Sequence, residues 1–184
     1  MSLIASAGQL RASYIRWALV LVPALVLLGT LSGTLSGSGA NGAWFSALEK
    51  PAIYPPPALF GIAWTILYAL MGFALAMVVA AHGAAGRMPA IAAFVVQFLV
   101  NLTWSPVFFG AHQITGGLAI ILLLDVLVVV TIVLFWKVRP LAGALLLPYL
   151  AWILFATALN WQFLQLNPEL DGEEVSGPVQ RIEF

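Results

Sequence analysis

Apolar runs of membrane-crossing length recur five times along this chain, and glycine, proline or charge closes each one. A helix that crosses a hydrocarbon core of about 30 Å needs roughly 20 residues. The runs predict helices over Tyr14 to Ser36, Ala58 to Ala81, Pro89 to Gly110, Thr115 to Trp136 and Leu141 to Leu166. A stretch such as LVLVPALVLL lacks the period-two alternation of a membrane barrel strand, so the predicted class is all-α, an integral membrane bundle of five transmembrane helices. Residues 1–13 then form an N-terminal extension, and 37–57 the first loop. After Leu166 the pattern changes to NPELDGEEVSGPVQRIEF, which is acidic and offers little apolar surface, so 167–184 is predicted to be a flexible tail.

Composition agrees with the pattern. The chain is 62% hydrophobic and 8% charged, where soluble domains carry about a quarter of their residues as charges. It contains no cysteine, which excludes disulfides and thiolate chemistry. The first run also has features of a secretory signal, with Arg11 and Arg16 ahead of Trp17 to Leu28 and a cleavage-like Ser38-Gly39-Ala40. Its continuation to Ser36 favours a retained helix. An odd number of spans puts the termini on opposite sides. Arg11, Arg16, Arg87, Lys137 and Arg139 fall with the N-terminus and Lys50 and Arg181 with the other side, which for an inner membrane places the N-terminus in the cytoplasm.

Polar and aromatic residues pick out one region. Trp17, Trp136 and Tyr149 suit the interfacial anchor role, whereas Trp64, Trp104 and Trp152 fall within spans. Helical spacing puts Trp64 with Tyr68 on one face, Asn101 with Trp104 and Ser105 on another, and Trp152 with Ala156 and Asn160 on a third. Pro106 frees the carbonyl of Leu102 and Pro148 that of Ala144. These groups either enclose a cavity for a flat apolar ligand, with Asn101 as its polar handle, or pack between helices with Asn101 bonded to a neighbour. The small-residue ridge GTLSGTLSG, with Gly29, Gly33 and Gly37, serves bundle packing, dimerisation or a wall beside a ligand. Asp125, alone among apolar residues, is either protonated, paired across helices or open to a water cavity. His82 and His112 lie at opposite loop edges without metal-ligand spacing and read as surface histidines. There is no nucleophile–base pair, no phosphate loop and no basic nucleic-acid patch.

Three motifs in order, WFSALEKPAIYPPPALFGIAWTILYALMG, NLTWSPVFFGAHQ and LLPYLAWILFATALNW, resemble the translocator protein family, also called tryptophan-rich sensory proteins or peripheral-type benzodiazepine receptors. The resemblance implies a five-helix bundle, a homodimer in the lipid bilayer, and a pocket open toward the first loop. It implies as ligands porphyrins such as protoporphyrin IX, other haem-pathway tetrapyrroles and related planar hydrophobic molecules. These are bound as ligands and not as cofactors. Carried over by position, the pocket residues are Phe45, Pro55, Trp64, Tyr68, Asn101, Trp104, Trp152 and Ala156, with no catalytic or metal-binding residue. Two positions depart from the family: Phe45 stands where a tyrosine is common, and LNWQFLQLN has Trp161 for a tyrosine and no basic residue, which puts sterol recognition there in doubt.

The loop LEKPAIYPPP is stiffened by Pro51 and Pro55 to Pro57, since proline fixes its own φ and biases the preceding residue toward extended conformations. It reads as a lid, with Trp44, Phe45 and Tyr54 turned onto a ligand and Glu49 and Lys50 facing water or headgroups; the alternative is a rigid connector. The leading functional expectation is a membrane binding protein for porphyrins, acting as sensor, regulator or carrier. The alternatives are light- and oxygen-dependent porphyrin degradation with tryptophan relays, and proton-linked transport through Asp125. The lack of an evident inverted repeat argues against transport.

Overall fold

A computed structural model describes residues 7–38 and 42–173. The described residues are helical, with no strand among them: α1 Ala7–Leu35, a short α2 Ala43–Ala47, α3 Pro57–Ala80, α4 Arg87–Ser105, α5 Ile114–Val138, α6 Pro140–Leu145 and α7 Leu147–Leu166. Five helices are long and apolar enough to span a bilayer: α1, α3, α4 with its continuation to Gly110, α5, and α6 with α7. These are the five runs read from the sequence. The first begins at Ala7, seven residues ahead of the expected Tyr14, so part of the supposed N-terminal extension is helix. Gly39 and Ala40 of the cleavage-like triplet lie outside the described residues.

The two mid-span prolines act as their chemistry requires. Pro106 has no N–H to offer Leu102, and the chain loosens into a π-helical turn, Pro106–Gly110, closed by Ala111 N–H on Pro106 O at 2.8 Å. The carbonyl of Leu102 accepts instead from Ser32 Oγ of α1 at 2.7 Å. A hydrocarbon solvent supplies no partner, so the group that proline frees must be met from another helix. Pro148 divides the fifth span at Leu146, where a Leu146 N–H to Gly143 O bond of 3.1 Å ends α6 and the proline occupies the first turn of α7.

Side-chain burial is arranged for lipid. Leu122, Leu123, Val126, Val129, Val130 and Val133 of α5 are all exposed, on the outside of the bundle. Inside, Met71, Phe94, Phe135, Tyr149 and Ile153 form the main core, and Trp44, Phe45, Phe108, Ile114 and Phe163 form a second cluster at the end of the first loop. Tyr149 corrects its expected anchor role: it is wholly buried, whereas Trp17 and Trp136 are 40% and 46% exposed.

Helix α1 closes on α3 through missing side chains. A Cβ on Gly72 would sit 2.7 Å from Val22 Cα, and one on Gly29 would sit 2.1 Å from the Tyr68 ring. The ridge therefore serves bundle packing at Gly29, while Gly37 ends the helix with φ +66°. The expected tail is also corrected at its start. Asn167 is 3% exposed and Pro168–Leu170 forms a 3-10 turn against the bundle, because the segment makes directional hydrogen bonds and packs Leu170 on the second cluster. Residues 174–184 lie outside the described residues.

Replacing Gly72 by Leu should force α1 and α3 apart and lower the thermal midpoint in detergent by about 2–10 °C, on a strain of about 1–3 kcal/mol. Gly61→Ala, where an added Cβ meets nothing within 4 Å, should leave it unchanged. Equal midpoints for the two variants would contradict this packing.

Candidate ligand pocket

A cavity of about 480 Å³ lies at the loop end of the bundle, walled by side chains of α1, α3, α4, α5 and α7 and roofed by the first loop. Seven of the eight positions expected at the site line it: Phe45, Trp64, Tyr68, Asn101, Trp104, Trp152 and Ala156. Pro55 does not line it. Tyr54 just before it and Pro57 two residues after it do. The exposed lining residues include Thr30 and Thr34 on α1 and Gly61 and Thr65 on α3.

The walls are aromatic. Trp64 stacks on Tyr68 with centroids 5.2 Å apart, and Trp104 stacks on Phe108 at 4.9 Å. Phe60, Phe108, Phe109 and Phe163 also line the cavity and were not singled out in the sequence. Two carried a usable signal: Phe60 is four residues before Trp64 and Phe108 four after Trp104, so each extends a face already identified.

The polar groups form one directed chain. Tyr68 Oη donates to Asn101 Oδ1 at 3.0 Å, Asn101 Nδ2 to Tyr149 Oη at 3.1 Å, and Tyr149 Oη to Gln97 Oε1 at 3.1 Å. Asn101 thus bonds to neighbouring helices α3 and α7, as the packing reading expects, and it also borders the cavity. A second link runs from Trp104 Nε1 to Asn160 Oδ1 at 3.2 Å, and from Asn160 Nδ2 to Ile114 O at 3.0 Å. Trp104 therefore offers a ligand its ring face, its N–H being engaged. The Nε1 of Trp152 is buried and has no hydrogen-bond partner.

Asp125 is paired across helices, accepting from Thr157 Oγ1 at 2.9 Å, and it does not line the cavity. Among the described residues no group of three or more His, Cys, Asp and Glu is placed to hold a metal ion.

The first loop lies over the hollow with Phe45 and Tyr54 facing in. Phe45 meets Phe109 at 5.3 Å and Phe163 at 5.7 Å, and Tyr54 meets Phe60 at 5.5 Å. Trp44 corrects the lid reading: it is buried but turned away from the cavity, with its ring stacked on His112 at 4.7 Å. That stack also draws half-buried His112 off the open surface. Lys50 does not face outward as expected. Its ammonium folds back to donate to Phe45 O and to Leu48 O, the latter at 2.9 Å, and lies 4.2 Å from the centre of the Phe45 ring. Desolvation in this position lowers its pKa, and burial raises that of Tyr54.

Comparison with known proteins agrees with this architecture. Residues 19–166 match the TspO/MBR family. The chain is 39% identical over 141 residues to protein CrtK of Rhodobacter capsulatus, covering 74% of this chain and 86% of that one. It is 43% identical over 124 residues to the tryptophan-rich protein TspO of Archaeoglobus fulgidus (67% and 80% covered), and 35% identical over 136 residues to the translocator protein of Homo sapiens (73% and 80% covered). With five membrane-length helices and a family match over most of its length, this chain is a multi-pass integral membrane protein that belongs to the TspO/MBR family.

Proposed function

We propose that this protein binds porphyrins such as protoporphyrin IX, and related planar hydrophobic tetrapyrroles, in the cavity beneath its first loop, and acts as a sensor, regulator or carrier for them. One observation carries the reading: the indoles of Trp64, Trp104 and Trp152, from three different helices, border one hollow of about 480 Å³. That volume lies within the roughly 300–1,000 Å³ usual for small-molecule sites. Flat rings present the area that a macrocycle can stack on.

Family membership supports a membrane sensing or binding role, and relatives 43% and 35% identical carry the names tryptophan-rich protein TspO and translocator protein. Proton-linked transport gains no support, since the residue it would use, Asp125, is engaged by Thr157 away from the cavity.

Quenching of tryptophan fluorescence by protoporphyrin IX in detergent tests the proposal. Trp64→Ala and Trp104→Ala should each weaken binding about 5- to 30-fold, equivalent to about 1–2 kcal/mol of lost stacking. Trp17→Phe, on the lipid-facing side, should leave the Kd unchanged. Affinity that survives loss of all three cavity indoles would overturn the reading.

Asn101→Ala should weaken binding and also lower the thermal midpoint, because it leaves the buried hydroxyls of Tyr68 and Tyr149 each short of a partner at about 1–3 kcal/mol. A variant with parental stability would show that the polar chain is not a structural tie.

A further inference from the structure

We propose that residues 167–172 form a clasp that holds the first loop shut over the cavity, so that the segment following the last membrane helix sets how fast the pocket exchanges its contents. The consequence for ligand exchange rests on the cavity being the ligand site. The clasp itself rests only on the contacts below.

The loop needs outside help to keep its shape. Helix α2 has five residues and no side-chain cap, far below the length at which a helix persists alone. Between Gly42 and Tyr54 several of the loop's hydrogen bonds close on the loop itself: Ser46 to Gly42 O, Lys50 to Phe45 O and Leu48 O, and Tyr54 N–H to Pro51 O. Its ring contacts with the bundle supply area without fixing a register.

Directional ties come from the clasp. The carboxamide of Asn167 places an acceptor and a donor side by side, matching a backbone N–H and C=O. Its Oδ1 accepts from Glu49 N–H at 2.6 Å, and its Nδ2 donates to Glu49 O at 3.0 Å and to Phe163 O at 3.0 Å. Asn167 therefore grips the loop as a neighbouring strand would. Glu49 stands between Phe45 and Tyr54, the two loop rings that line the cavity, so one grip positions both. A second tie runs from Trp44 Nε1 to Leu170 O at 3.0 Å.

The other end of the clasp is anchored in the bundle. Asp171 accepts through Oδ1 from Ile114 N–H at 2.6 Å and Thr115 N–H at 3.1 Å, and through Oδ2 from Thr115 Oγ1 at 2.5 Å. It caps the free amides at the start of α5, where Gln113 supplies no side-chain cap. Gly172 N–H adds a bond to His112 O at 2.8 Å. The short segment thus bridges two loops, with the roof of the cavity at one end and a membrane helix at the other.

The chain's lack of cysteine allows a direct test. Spin labels on Ala47→Cys in the loop and Met88→Cys at the far end of α4, both exposed positions, should give a narrow distance distribution in lipid nanodiscs. Asn167→Ala should broaden it, and the milder Trp44→Phe, which removes one N–H and leaves a smaller aromatic ring in place, should broaden it less. Stopped-flow mixing should then show protoporphyrin IX leaving Asn167→Ala at least about fivefold faster, the change expected from losing even one of its two hydrogen bonds to Glu49. Unchanged distances in the Trp44→Phe, Asn167→Ala double variant, with helix content intact, would overturn the clasp. Broadened distances with an unchanged dissociation rate would overturn its control of exchange. A parent protein that binds no porphyrin, together with distances that broaden in the variants, would sink the proposed ligand and leave the clasp standing.

Discussion

Within the bilayer a polar group that loses its partner finds no water to replace it, and that constraint organises this molecule. Asn101 meets it most fully. Its amide joins Tyr68 of α3 to Tyr149 of α7, and Tyr149 passes the chain back to Gln97 on α4, the helix that carries Asn101. Three helices are held at one level by groups whose only alternative is an unpaired dipole in hydrocarbon. The same rule explains Ser32 on the carbonyl that Pro106 frees, Thr157 on Asp125, and Asn160 between Trp104 and Ile114 O.

These ties leave a hollow because the side chains around them are large, flat and fixed. Tyr68 and Trp64 stack as a pair, as do Trp104 and Phe108, so neither pair can collapse into the space between. Gly29 lets α1 come against Tyr68 and complete the wall. The roof is different in kind. It is a proline-stiffened strap whose position depends on hydrogen bonds from residues just beyond the last span, so the walls and the roof of one cavity have separate supports.

Much of this was legible in the sequence for a simple reason: a membrane helix must be long and apolar, and its faces repeat at three and four residues. The five spans, the faces bearing Trp64, Asn101 and Trp152, and the carbonyl freed by Pro106 all follow from those two rules. Tyr149 was misread because a buried position and a lipid-facing one look equally apolar to neighbours in sequence, so its aromatic ring suggested an anchor. Trp44 and Lys50 were misread because backbone curvature in a short loop decides where side chains point, and no periodicity reports it. Pro55 lies one residue to the wrong side of a strap for the same reason. Asn167 and Asp171 were invisible because their bonds go to backbone atoms more than fifty residues distant, and acidic composition describes solvation but not hydrogen-bond geometry.

The central claim is that indoles from separate helices meet around one ligand-sized hollow while the remaining tryptophans do other work. Incorporating 5-fluorotryptophan, assigning the seven resonances by single Trp→Phe changes, and titrating protoporphyrin IX into protein in nanodiscs addresses it directly. The account predicts that the Trp64, Trp104 and Trp152 signals shift together and saturably, while Trp17, Trp136 and Trp161, all exposed to the surroundings of the bundle, stay in place. Shifts confined to those three outward tryptophans, with the cavity signals unmoved, would contradict it.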